Sequence, residues 1–318
     1  MRSINLRITT AALLSSHLGL LAGFAQTSGT GNTAPEVPAL QQPPPARPEQ
    51  ARLTETMALM AAAEKGDLSA RPRLNDLAAA VRQDKGLPEH DRFVIASRLN
   101  GLAIAETPGL DRAGRLAAYE RSAREMVAAF PGEPEPYYSL LALAEDQPDP
   151  TLGAHIARDL LAMPAPPEAK ARAQILLDRE AMVGRAFTFS FHDSTGNLLS
   201  PEQYRGKLVV LYVWTGRSQS SATWVGNLVK QGGDQVVYIG LNFDEDRQNA
   251  ETLVKVLAPG SVQVYDPTGL AGDTARQLRL TRVPAIYLID QAGVLQDVRA
   301  RENFPAKLSA LLAKGGGS

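Results

Sequence analysis

Hydrophobic positions recur in two rhythms along this 318-residue chain. Between residues 51 and 182 the rhythm is helical. Leu74, Leu77, Ala78 and Val81 fall on one face of a helical period, as do Phe93, Ala96, Leu99, Leu102 and Ala103. The same spacing predicts helices over 113–130, 137–145, 152–163 and 168–182. Glycine and proline mark the breaks: Gly86-Leu87-Pro88, Thr107-Pro108-Gly109, Phe130-Pro131-Gly132 and Pro164-Ala165-Pro166-Pro167. Loops this short predict antiparallel helix pairs.

After Gly184 the period changes to that of strands. Phe187-Thr188-Phe189-Ser190-Phe191 alternates and runs into Asp193-Ser194-Thr195-Gly196, a hairpin signal. The apolar runs 208–214 and 235–241 read as strands buried on both faces. Between them Ala222, Val225, Leu228 and Val229 keep helical spacing, which makes a β-α-β unit with parallel strands and a right-handed crossover. A helix over 246–257, a strand over 262–265 and a helix over 270–278 follow. Pro284 then precedes a strand over 285–289; Asp290-Gln291-Ala292-Gly293 turns into a last strand, 294–298, and a helix over 304–312 ends the pattern.

The two ends read differently. Arg2 and Arg7 precede an apolar stretch, and Gly23-Phe24-Ala25 suits signal-peptide cleavage after Ala25, so residues 1–25 are expected to be an export signal, with an uncleaved anchor as the alternative. Residues 26–50, with Pro43-Pro44-Pro45 and Pro48, are expected to form a disordered Pro-rich linker. Residues 314–318 are expected to be a flexible tail. The organisation anticipated is therefore an all-α domain over 51–182, repeat-like or a plain bundle, followed by an α/β domain over 183–313.

Composition narrows the chemistry. The net charge is -1, from 33 basic and 34 acidic residues, so phosphate neutralisation gives no reason to expect a nucleic-acid partner. Cysteine is absent, which removes disulfides, thiolate nucleophiles and cysteine-ligated metals. His90 and His155 stand isolated, no metal-ligand spacing occurs, and no cofactor is expected. After signal cleavage no remaining stretch is long and apolar enough to span a membrane.

The order of elements after residue 183 resembles the thioredoxin-like family, in its exported TlpA-like and peroxiredoxin-related branch. The residues that carry the likeness are Leu199-Ser200-Pro201-Glu202-Gln203-Tyr204-Arg205-Gly206-Lys207, Trp214, Gly240-Leu241-Asn242-Phe243-Asp244-Glu245-Asp246, Tyr265-Asp266-Pro267-Thr268-Gly269 and Arg282-Val283-Pro284 with the strand behind it. In the helical half, Phe130-Pro131 and Pro136-Tyr137-Tyr138 resemble a tetratricopeptide-type repeat, without a clean period. The resemblance implies a central mixed sheet with flanking helices, and a cis peptide bond before Pro284.

The likeness breaks at the chemistry. The family's Cys-x-x-Cys, whose first thiol is acidified at a helix N-terminus, is here Ser218-Gln219-Ser220-Ser221. A serine hydroxyl forms neither a thiolate nor a disulfide. The peroxiredoxin pattern fails as well, because Leu211 stands where that family has proline and Ser218 where it has the reacting sulfur. A hydrolase role for Ser218 needs an adjacent base, and nothing in the sequence brings His192 to it; the plainer reading is a helix N-cap.

Three readings follow. The first is an exported, redox-inactive module that binds a protein or peptide partner in the cell envelope. Its groove would be formed by Trp214, Arg217, Ser218, Arg282, Val283 and Pro284, with Arg217 and Arg282 beside a helix N-terminus attracting an acidic segment or small anion. The second is a thiol-disulfide oxidoreductase or peroxiredoxin-like protein by family membership. The third places function in the helical half, with the α/β half as a structural cap.

Overall fold

Helix starts before the hydrophobic rhythm announces it. The computed structural model describes residues 48–216 and 219–315, and α1 (Pro48–Glu64) takes in the last three residues of the stretch read as linker. Pro48 has no N–H to lose at a first helical position, and Glu49 meets the positive end of the helix dipole. The expected signal segment and most of the expected linker lie outside the described residues.

Helices α2 (Arg71–Gln83), α3 (Glu89–Glu106), α4 (Arg112–Ala129), α5 (Glu135–Asp146), α6 (Pro150–Ala162) and α7 (Pro167–Glu180) follow, each packed on the next. Local chemistry sets their starts. Asp111 accepts a hydrogen bond from the Gly114 N–H at 2.7 Å, and Asp149 accepts one from Thr151 N–H at 2.8 Å. Leu74, Leu77, Ala78 and Val81 are buried as their spacing predicts. On α3 the stripe differs from the expectation: Ala103 is exposed, whereas Ile95 is fully buried. The reason is that α3 is covered on two sides. Ile95 packs with Met60, Leu74 and Val81, while Phe93 and Ala96 pack with Phe130. One apolar stripe cannot describe a helix wedged between two neighbours. Tyr137 is buried, and its hydroxyl donates to the Pro131 carbonyl at 3.0 Å, pinning the turn before α5.

The α/β half begins with an alternation that is real in burial but only partly in pairing. Phe187, Phe189 and Phe191 are buried and the residues between them exposed. Only β1 (Phe191–His192) pairs as a strand, antiparallel to β2 (Leu198–Leu199). The main sheet comprises β3 (Leu208–Trp214), β4 (Val236–Asn242), β5 (Val262–Tyr265), β6 (Ala285–Ile289) and β7 (Leu295–Asp297), in the order β5-β4-β3-β6-β7. Strands β3, β4 and β5 are parallel; β6 runs antiparallel to β3, and β7 antiparallel to β6.

Helices cover both faces, which is why β3 reads as a continuous apolar run. Val209, Leu211 and Val213 pack with the three phenylalanines and with Ala275 of α10 (Asp273–Gln277). Leu208, Val210, Tyr212 and Trp214 pack against α8 (Gln219–Leu228), α9 (Arg247–Leu257) and α11 (Phe304–Gly315). This is the thioredoxin-like α/β arrangement, preceded by an all-α region. Helix α11 continues through Gly315, so the first residues assigned to a flexible tail are helical. No helix among the described residues is long and apolar enough to cross a membrane.

All described residues belong to one compact unit. The join between its halves is polar and buried. Arg299 donates from Nη1 to the carbonyls of Ala144, Glu145 and Gln147 at 3.0–3.1 Å, and from Nε to Glu180 at 2.6 Å. These carbonyls are the unsatisfied acceptors at the C-terminal end of α5, where the helix dipole favours a cation. Gly153 leaves the room for it: a Cβ there would lie 2.5 Å from the Ala144 carbonyl and 2.9 Å from Arg299 Nη2.

Candidate functional site

The loop leaving β3 is fixed from the end of β4. Gly216 N–H donates to Asp244 Oδ2 at 2.6 Å, and Asn242 Nδ2 donates to the same oxygen at 2.8 Å. Phe243 N–H donates to the Trp214 carbonyl at 3.1 Å. A Cβ at 216 would meet Leu253 Cδ1 at 2.7 Å, so this leucine would have to shift to admit a side chain there. A cavity of about 240 Å³ opens beside this loop, lined by Gly216, Asp244, Glu245, Asp246 and Asn249. Its walls are acidic. The Gly216 N–H is already taken by Asp244.

Ser221 lies in the first turn of α8. Arg217 and Ser218 lie outside the described residues, so their expected parts in a groove are not placed. Trp214 departs from the expected groove role. Its side chain is fully buried, and its indole N–H donates to Gln263 Oε1 at 3.3 Å. Gln263 Nε2 in turn donates to the Tyr212 hydroxyl at 2.6 Å and to Ser261 Oγ at 2.8 Å. Gly240 makes the space, because a Cβ there would collide with both the Gln263 amide and the Tyr212 hydroxyl. A tryptophan enclosed by sheet and helix satisfies its one donor internally, as buried tryptophans do. Trp214 is a core residue with a polar anchor, and Gln263, which sequence reading passed over, is what anchors it.

Arg282 is also placed differently from the expectation. It neither stands free in a groove nor turns to the 244–246 carboxylates. It pairs through Nη1 with Asp146, approaches Glu145 Oε2 at 3.8 Å, and donates from Nη2 to the Glu145 carbonyl at 3.1 Å. The cause is the end of α5, whose acidic pair and free carbonyls attract a cation more strongly than solvent does. Sequence could not show this, because 136 positions separate Arg282 from Asp146. Thr281 is held beside it by Arg179 Nη1, at 3.4 Å. The helical half thus grips the segment that leads into Pro284.

The Val283–Pro284 peptide bond is cis, as the family resemblance implied. Val283 is half-buried, its side chain packed on the phenylalanine-rich side of the sheet. Its backbone N–H and carbonyl have no hydrogen bond to any described residue. On the second turn of α8, Trp224 is half-buried with Arg301 over its ring at 6.0 Å, and Arg301 in turn interacts electrostatically with Arg282, next to Val283. Neither Trp224 nor Arg301 was singled out in the sequence; an arginine in a loop after the last strand gives no local signal.

Elsewhere, a larger cavity of about 460 Å³ lies between α2 and α3, lined among others by Arg71, Asn75, Arg82, Asn100 and Glu106. Arg71 pairs with Glu106, and no acid–base or nucleophile set converges there. His90 bonds Glu133 at 3.0 Å and His155 lies 3.6 Å from Asp159, both on the helical surface, and His192 is exposed in β1. No group of three or more His, Asp or Glu side chains able to hold a metal ion occurs among the described residues.

No family model and no curated protein sequence matches the chain. Solved structures do. A thiol-disulfide oxidoreductase from Bacteroides fragilis is 26% identical over 40% of this chain and 98% of its own, with a TM-score of 0.35. A secreted disulfide oxidoreductase from Mycobacterium tuberculosis is 15% identical over 39% of this chain and 96% of its own, with a TM-score of 0.33. A thioredoxin-like protein from Bacteroides caccae is 12% identical over 90% of this chain and 99% of its own, with a TM-score of 0.44. By the strand order and directions of its own sheet, this chain has a thioredoxin-like fold, and it carries no cysteine.

Proposed function

We propose that this chain is an exported, redox-inactive thioredoxin-like module that binds an extended peptide segment of a protein partner in the cell envelope. The observation that supports the reading is the backbone of Val283. An N–H and a C=O with no hydrogen bond to any described residue, two positions before β6, are the groups that pair with an added strand. Serines in place of both cysteines leave that backbone recognition intact while removing electron transfer, since a fold does not by itself confer an activity. The grip of Arg282 on α5 favours a preformed segment, which lowers the ordering cost of binding.

The test is titration of the full chain with a library of extended peptides, followed by amide spectroscopy. Binding is expected to shift the Val283 amide and to slow its hydrogen exchange, because the N–H acquires an acceptor. A Val283 amide that keeps its shift and exchange rate at saturating peptide would remove this groove as the binding site.

A further inference from the structure

Around the C-terminal end of α5 almost every cation has a carboxylate. Arg112 pairs with Glu302, Arg282 with Asp146, and Arg299 with Glu180 at 2.6 Å; Arg172 lies 3.7 Å from Glu145. Two arginines lack one: buried Arg179, which donates to Thr281 instead, and Arg301, which has no hydrogen bond or ion pair to any described residue. What holds it is the Trp224 ring beneath, on the helix that begins at the serine-substituted motif. A guanidinium held over an indole ring with no other partner keeps N–H donors that can bond a carboxylate bidentately. Partial burial disfavours the charge on Arg301, the like charge of Arg282 adds to that, and Asp146 opposes both. Since Asp146 is already engaged by Arg282, the pair leaves Arg301 with an unmatched positive charge.

We propose that Arg301 and Trp224 form a carboxylate-reading subsite of the peptide groove, so that the bound segment carries an aspartate or glutamate side chain. The inference rests on the peptide-binding reading and adds the chemistry of its ligand. The polarity of the surroundings sets where that side chain goes. Arg301, with no carboxylate partner among the described residues, is the group there that attracts such a side chain.

The experiment uses the full chain and three otherwise identical extended peptides. The first has blocked termini and one central glutamate; the second has glutamine in its place; the third carries the glutamine and a free C-terminal carboxylate. Val283 amide shifts report the groove, and tryptophan fluorescence reports Trp224. The glutamate peptide is expected to bind about tenfold tighter than the glutamine peptide, the scale of one charge-assisted hydrogen-bonded pair, with the advantage falling as salt is added. In Arg301→Gln that advantage should vanish, and in Arg301→Lys it should shrink, because the ammonium cannot hold both oxygens. Equal affinity for the glutamate and glutamine peptides, with Val283 still shifted, would overturn the subsite and leave the groove standing. A glutamate preference that moves Trp224 fluorescence but not Val283 would do the reverse. Tighter binding of the third peptide than the first would overturn the side-chain assignment in favour of a chain terminus.

Discussion

His90 is held against a carboxylate on the surface of the helical half. Its Nδ1 lies 3.0 Å from Glu133 Oε2, joining the start of α3 to the turn after α4. That hydrogen bond raises the imidazole pKa above its usual 6.5; partial burial opposes the shift, and the charges of Glu133, Glu135 and Asp91 add to it. A raised folded-state value means that the contact stabilises fully below about 6.5, the unfolded value, and is lost as pH rises through the folded value. The imidazole is 60% exposed, so the gain is that of a surface pair, about 0–1 kcal/mol. Titration of the His90 ring signals should give a pKa above 6.5 in the wild type and a value nearer 6.5 in Glu133→Gln. A wild-type value at or below 6.5 would rule the contact out in solution. Trp214 teaches a different lesson at the same scale. A tryptophan at the end of a buried strand was legible as structural or functional only by its surroundings, and Gln263, 49 residues away, decided the matter.

Between elements, the contact of α5 and α6 shows how one missing side chain positions another. Glycine inside or near a helix normally costs about 0.5–1 kcal/mol relative to alanine. Gly153, in the first turn of α6, breaks that rule because the Ala144 carbonyl and the Arg299 guanidinium occupy the place of its Cβ. Gly153→Ala is therefore expected to destabilise by about 1–3 kcal/mol, the usual cost of overpacking. Gly101→Ala in α3 is the matched control: a Cβ there meets nothing within 4 Å, so the variant should gain about 0.5–1 kcal/mol. Denaturant midpoints of the two variants check the opposite signs, and a Gly153→Ala protein as stable as Gly101→Ala would show that α5, α6 and Arg299 are not packed in this way. The element pattern itself was open to reading from periodicity. The boundary residues 48–50 and 314–315 were not, because composition cannot distinguish a Pro-led first turn or a frayed last turn from a linker.

For the molecule as a whole, the Arg299–Glu180 pair makes two halves into one folding unit. Both side chains are nearly buried, at 10% and 13% exposure. Removing one partner of such a pair costs on the order of 3–5 kcal/mol, since the other charge stays desolvated. Unfolding should accordingly be a single transition. Both tryptophans, Trp214 and Trp224, lie in the α/β half, whereas far-ultraviolet circular dichroism is dominated by the helices. The two signals should coincide in the wild type and separate in Arg299→Met. Separate transitions in the wild type would mean that the helical and α/β halves fold independently.

The chain by itself determined the two-rhythm architecture, because sheets and helices announce their buried faces through local period. Val209, Leu211 and Val213 could only be one side of a covered strand, and Leu74, Leu77, Ala78 and Val81 only one side of a helix. It also determined that thiol chemistry is unavailable, a matter of elemental composition that no folding can alter. Only the tertiary structure decided which arginine is free. Arg282 sits next to Val283 in sequence and is consumed by α5; Arg301 is 19 positions beyond it and lies over Trp224 with no ion pair to any described residue. Charge pairing acts through space with a reach of a few ångströms, and its partners are set by which helix end arrives there, information that no local pattern along the chain contains.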